Sequence, residues 1–255
     1  PLEWPEAYEL FGHGFTRIGD AIVRAPDLDL FEEAGFRLPK RSQTKGLLGT
    51  RIALIRLVAE TGLPVSGGDD GLASLADLLQ GKSSPECPDP PGLRSRLRPY
   101  QREGVAWLWN RYLAGIGALL ADDMGLGKTH QVMGLLCLVH AVRRSEGLLV
   151  VCPRGVLEHW HTLLNRYAPE LDVHLYHGPG RSLAGIGDGV VVLTTYDILF
   201  RSAEELQNRI WEVAVFDEAQ RIKNSRTKAA RAARKIPAAF RIALSGTPLE
   251  NRLTE

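Results

Sequence analysis

From residue 93 onward, short runs of Val, Leu, Ile and Ala alternate with longer stretches of helical periodicity. The apolar runs fall at 116–121, 147–152, 173–176, 189–194, 212–216 and 240–244. The helical patterns fall between several of them, at 128–142, 156–167, 198–207 and 225–236. A strand that is apolar on both faces must be covered on both faces, and helices between such strands supply the cover. The alternation therefore predicts an α/β lobe with a mostly parallel sheet between two layers of helices. Ligands of such sheets gather outside the carboxyl ends of the strands. Glycine-rich or acidic segments directly after an apolar run are thus where chemistry is expected.

Two segments meet that condition. Asp122-Asp123-Met124-Gly125-Leu126-Gly127-Lys128-Thr129 lies between an apolar run and a helical pattern. Glycines let backbone amides approach phosphate oxygens, and the helix start adds the positive end of its dipole. Lys128 can then reach β- and γ-phosphates, and the Thr129 hydroxyl can coordinate magnesium. The strict G-x-x-x-x-G-K-[ST] Walker A pattern wants glycine at 122, where this chain has aspartate. The second segment is Val215-Phe216-Asp217-Glu218-Ala219-Gln220, a DEAQ box. A strand here delivers two carboxylates to the sheet end, Asp217 for magnesium and Glu218 for the attacking water. Together the segments predict a nucleoside triphosphatase lobe.

Residues 1–84 carry no catalytic constellation and are read as an accessory segment. Within it 47–59 is apolar, 72–79 has helical spacing, and His13 between two glycines reads as a loop residue. Residues 85–92 contain four prolines, which deny backbone donors and disfavour helix, so they read as a linker. Residues 93–255 form the nucleotide-binding lobe. Net charge over the whole chain is only +1. It is divided, however: residues 1–92 hold 9 basic against 14 acidic residues, and residues 93–255 hold 22 against 16. A basic lobe suits a polyanionic partner. The three cysteines, Cys87, Cys137 and Cys152, are far apart, which argues against a disulfide framework or zinc cluster. No apolar run approaches the about 18 residues of a membrane span, so no membrane partner is expected. The first residue is Pro1, and the chain is expected to be an excerpt of a longer protein.

Further segments accompany these two: Leu97-Arg98-Pro99-Tyr100-Gln101-Arg102-Glu103-Gly104-Val105, Pro153-Arg154 leading to His159-Trp160, Tyr176-His177-Gly178, Thr194-Thr195-Tyr196 and Leu244-Ser245-Gly246-Thr247-Pro248-Leu249-Glu250-Asn251. Their order and spacing over residues 93–255 resemble the amino-terminal RecA-like lobe of the Swi/Snf-like DNA translocases, a branch of superfamily-two helicases. Asp122 is common in that family. The resemblance implies ATP and Mg2+ as ligands and double-stranded DNA as partner. It implies an adenine-recognising role for Gln101, and a phosphate and metal site of Gly125, Gly127, Lys128 and Thr129 within the 122–129 loop. By the same resemblance Asp217 holds the metal, Glu218 is the catalytic carboxylate, and Gln220, Ser245 and Thr247 couple nucleotide state to DNA. Gln220 stands where many relatives have histidine, a wording frequent in bacterial members. Arg154, Thr194 and Thr195 match segments that touch the DNA backbone.

In that family a second RecA-like lobe closes the ATP site and supplies transition-state arginines. Residues 93–255 hold the first lobe alone, so this fragment is expected to hydrolyse ATP hardly at all. A protein partner through residues 1–84 and a cytoplasmic location, nucleoid-associated in a bacterium, complete the expectation. Three rivals stay open: a strand-separating RNA or DNA helicase, a nucleotide-gated module that never hydrolyses, and a chain whose main work is done by residues 1–92. Trp107 and Trp109 read as packing residues, and His159, His161, His174 and His177 lack the cysteine or acidic company of a zinc site. Residues 221–241 hold eight Lys+Arg and no acid, and read either as a solvated face or as a contact for DNA or the second lobe.

Overall fold

The computed structural model describes residues 15–18, 21–24, 88–115, 117–142 and 147–246. The chain divides into two compact units, Pro1–Ser84 and Pro85–Glu255. In the first, strands β1 (Phe15–Ile18) and β2 (Ala21–Arg24) pair antiparallel. The patterns at 47–59 and 72–79, and His13, lie outside the described residues.

The second unit is built on a six-stranded sheet. Its strands are β3 (Ala118–Leu120), β4 (Gly147–Cys152), β5 (Val173–Leu175), β6 (Val191–Thr195), β7 (Trp211–Phe216) and β8 (Ala238–Leu244). Their order is β3-β8-β7-β4-β6-β5, and every neighbouring pair is parallel. All residues of β4, β6 and β7 are buried, whereas the edge strands β3 and β5 are not. That gradient is why the central runs read as unbroken hydrophobic stretches.

The helices are α1 (Pro99–Leu113), α2 (Lys128–Val142), α3 (Leu157–Tyr167), α4 (Tyr196–Arg201), α5 (Ala203–Gln207) and α6 (Lys228–Lys235). Alternate residues of each strand point to opposite faces. Leu148, Val150 and Cys152 of β4 join one core with Leu108 of α1, Val132 and Leu136 of α2, and Trp160 and Leu164 of α3. Leu149 and Val151 join the other with Leu199 of α4, Leu206 of α5 and Ala233 of α6. The sheet is thus covered on both faces. Trp109 lies in the first core, and Trp107 carries the Arg111 guanidinium 4.6 Å above its ring.

Helix α1 is an element that hydrophobic periodicity does not reveal. Pro99 occupies its first turn, where a missing N–H costs nothing, and the Arg98 N–H donates to Gln101 Oε1 at 2.9 Å. The single helix expected over 198–207 is two. Thr195 caps α4 immediately after β6, accepting from Ile198 N, and Ser202 leaves helical geometry between α4 and α5. Helix α6 starts later than its pattern, where Thr227 Oγ1 accepts from Ala230 N at 3.2 Å. The described part of the proline-rich stretch lies on the lobe: Leu93 N donates to Pro90 O, and Arg94 N donates to Tyr167 O of α3 at 2.7 Å.

Candidate functional site

The loop between β3 and α2 turns back on itself through Gly125 (φ 85°) and Gly127 (φ 75°), a backbone region that side chains rarely adopt. A Cβ at Gly127 would stand 2.4 Å from Gln101 Nε2. This close approach lets α1 grip the loop. Gln101 Nε2 donates to Leu126 O at 3.1 Å, and the Tyr100 hydroxyl donates to the same oxygen at 3.2 Å. Lys128 Nζ donates to Asp122 O (2.7 Å) and Asp123 O (3.0 Å), holding its ammonium over the loop. Asp122 Oδ2 accepts from Gln131 Nε2 at 3.0 Å, and Gln131 is wholly buried. Tyr100 and Gln131 were not among the residues the sequence singled out; both act on the loop from neighbouring helices.

Strand β7 delivers Asp217 to the same end of the sheet. Its N–H donates to Val151 O of β4 (2.8 Å), and its carbonyl accepts from the Tyr196 hydroxyl (2.7 Å). Its carboxylate takes one donor on each oxygen, Glu218 N on Oδ1 (2.9 Å) and the Trp160 indole on Oδ2 (2.7 Å). Burial pushes the Asp217 carboxyl above the usual aspartate range, against the pull of these donors and of Lys128. Glu218 has left-handed backbone (φ 51°, ψ 52°), the one non-glycine residue with positive φ among those described. Such strain costs about 1–3 kcal/mol and gathers at functional sites.

Glu218 Oε2 accepts from Gln220 Nε2 at 2.5 Å, and Gln220 Oε1 accepts from the Ser245 hydroxyl at 3.0 Å. Next to Ser245, a Cβ at Gly246 would fall 2.6 Å from Met124 Cγ of the loop. The three motif segments therefore meet. Met124, Gly125, Gly127, Lys128, Thr129, Asp217, Glu218 and Gly246 line one cavity of about 280 Å³, whose other wall includes His130, His159, Trp160 and Leu163. Burial, and then neighbouring His159, lower the His130 pKa. Thr129 and Asp217 bring a hydroxyl and a carboxylate to this cavity beside a lysine, an oxygen donor set suited to magnesium.

Thr247 lies outside the described residues. The three DNA-contact candidates part company. Arg154 is exposed, in the 3-10 turn (Arg154–Val156) before α3. Thr194 and Thr195 are 0% and 2% exposed. Thr194 Oγ1 donates to Tyr176 O (2.9 Å), and Thr195 Oγ1 caps α4. Both hydroxyls are structural, and neither presents itself to a partner. In the basic run, Lys228, Arg231, Arg234 and Lys235 of α6 are exposed, while Ala230, Ala232 and Ala233 face the core.

The family model for the SNF2-related domain matches residues 100–255. The chain belongs to that family. It is 42% identical over 184 residues to YwqA of Bacillus subtilis, described as an ATP-dependent helicase/translocase, covering 70% of this chain and 20% of the relative. It is 34% identical over 230 residues to the TATA-binding protein-associated factor mot1 of Aspergillus fumigatus, covering 79% of this chain and 12% of that protein. The chain thus spans a fifth or less of these relatives' length. Among solved structures, the Sulfolobus solfataricus SWI2/SNF2 ATPase core in complex with dsDNA matches with a TM-score of 0.62 at 38% identity, over 66% of this chain and 36% of that one. The same core without DNA matches with a TM-score of 0.57 at 37% identity. The second unit has the RecA-like fold of a lobe of the SNF2 ATPase core. Among the described residues no helix is long and apolar enough to cross a membrane.

Proposed function

We propose that the chain supplies the ATP-binding lobe of an ATP-dependent double-stranded DNA translocase, and that hydrolysis needs a second RecA-like lobe. The observation that carries this reading is the single cavity shared by the 122–129 loop, Asp217, Glu218 and Gly246. ATP enters with its phosphates against the loop. Lys128 exchanges the Asp122 and Asp123 carbonyls for β- and γ-phosphate oxygens. Thr129 and Asp217 would hold magnesium, which would neutralise charge on the phosphates. Glu218 orients the attacking water and accepts its proton. Gln101 moves its amide from Leu126 O to the adenine edge, since an amide offers both donor and acceptor.

The contact from Glu218 through Gln220 to Ser245 suits a coupling role, because a change at the catalytic carboxylate reaches the Ser245 segment through two hydrogen bonds. Arg154 faces the DNA backbone, a contact that carries no sequence information. Transition-state charge supplied by a second lobe is worth about 10³–10⁵ in rate, so a lobe of this kind without its partner turns over barely.

The test is nucleotide titration beside turnover in the protein that carries the second lobe. Lys128→Ala is expected to lose both ATP affinity and turnover. Glu218→Gln is expected to keep ATP affinity and lose turnover. Equal loss of binding in the two variants would refute this division of roles. Rapid DNA-stimulated hydrolysis by residues 1–255 alone would refute the need for a second lobe.

A further inference from the structure

Trp160 is 1% exposed and belongs to the core between the sheet and helices α1 to α3. A buried indole N–H needs a partner, and Trp211 Nε1 finds one in a backbone carbonyl, Leu206 O. Trp160 Nε1 instead donates to a side-chain oxygen of Asp217, 57 positions away, at 2.7 Å. An indole N–H can only donate, so its partner must accept. The other Asp217 oxygen is met by Glu218 N, the next backbone donor along the chain, at 2.9 Å. The backbone of Asp217 is fixed at both ends by Val151 O and the Tyr196 hydroxyl. With one donor on each oxygen, the carboxylate has no free rotation, and one acceptor site on each oxygen stays available. Trp160 and Asp217 line the same cavity as Thr129 and Lys128.

We infer that Trp160 is a positioning residue for the metal-binding carboxylate: its indole N–H sets the orientation in which Asp217 meets Mg2+. The inference rests on the nucleotide reading above. It also explains why a large aromatic occupies the second turn of α3, on the helix that follows the exposed Arg154. Groups that hydrogen-bond a metal ligand commonly control metal affinity by about 10–100-fold. Thr129 and the nucleotide phosphates remain as metal partners when the indole is lost, so the expected effect is at the lower end of that range.

The experiment uses Mn2+ as the metal probe, followed by electron paramagnetic resonance, with ADP and the 255-residue chain. Trp160→Phe keeps the ring and deletes the donor. With ADP saturating in both chains, it is expected to bind Mn2+ in the ADP complex about tenfold more weakly. Equal Mn2+ affinity in the two ADP-saturated chains would overturn the role of Trp160. Failure of the unmodified chain to bind ADP would overturn the nucleotide reading instead. A second measurement does not need the Trp160 variant to fold. The Trp160 indole N–H resonance, assigned among the five tryptophans, is expected to shift in Asp217→Asn while the other four stay in place. An unmoved resonance would overturn the contact on which the inference stands.

Discussion

Alanine at position 104 is a substitution that two opposing effects decide. Gly104 lies inside α1, where replacing glycine with alanine ordinarily gains about 0.8–1.0 kcal/mol. Here the new Cβ would stand 1.8 Å from Gln131 Oε1 and 2.8 Å from Gln131 Cδ. Gln131 is wholly buried and donates to Asp122, so its amide has nowhere to retreat without losing that bond. A buried polar group left unpaired costs about 1–3 kcal/mol, and overpacking a filled site costs about 1–3 kcal/mol more. The clash therefore outweighs the helix gain, with a net loss of about 1–5 kcal/mol. Urea unfolding is expected to show a lower midpoint at unchanged slope, and a melting temperature lower by about 2–4 °C per kcal/mol. Adding Gln131→Ala to Gly104→Ala should cost less than the two changes measured separately, with a coupling of about 0.5–3 kcal/mol. A Gly104→Ala chain as stable as the original, or more so, would refute the reasoning. So would strict additivity in the cycle.

What the sequence makes legible follows from where each signal is stored. The parallel sheet is visible because β4, β6 and β7 are buried on both faces and read as apolar throughout. Helix α2 falls at the residues its pattern gives, because the loop that ends at Gly127 fixes its start. Helix α1 is hidden because its buried side mixes Gln101 and Asn110 with Val105 and Leu108. The 122–129 loop and the Asp217-Glu218 pair are legible because the nucleotide chemistry proposed above demands those residue types at a strand end. The contacts of Trp160 and Gln131 are not, because each reaches a partner that only the fold brings near. Thr194 and Thr195 are a case where motif and burial point in different directions. A motif names them, but the last two residues of a central strand are buried, and their hydroxyls serve Tyr176 and the α4 cap.

Three further outcomes are expected. Glu205 accepts from the Tyr176 hydroxyl and from Leu183 N, and these bonds hold its carboxyl below the usual glutamate range. A depressed folded pKa gives stability that is present above the unfolded value of about 4.3 and is lost as pH falls through the folded pKa. Urea midpoints of the native chain should therefore decline on acidification below about pH 4.3 more steeply than those of Glu205→Gln; parallel declines would remove Glu205 from the acid response. In the full protein, Arg154→Ala should weaken binding to duplexes of unrelated sequence alike and flatten the salt dependence by about one unit, against a slope of about −0.9 per phosphate neutralised. A sequence preference, or an unchanged slope, would place Arg154 away from DNA. Thr194→Ala separates motif wording from structure. Its hydroxyl is buried in β6 and donates to Tyr176 O. Removing it should cost about 0.5–1.5 kcal/mol of stability, more if the carbonyl is left unpaired, and leave the salt slope where it was. If Thr194→Ala flattened the slope as Arg154→Ala does, the strand end would have to open on DNA, and burial would be the wrong guide to this surface.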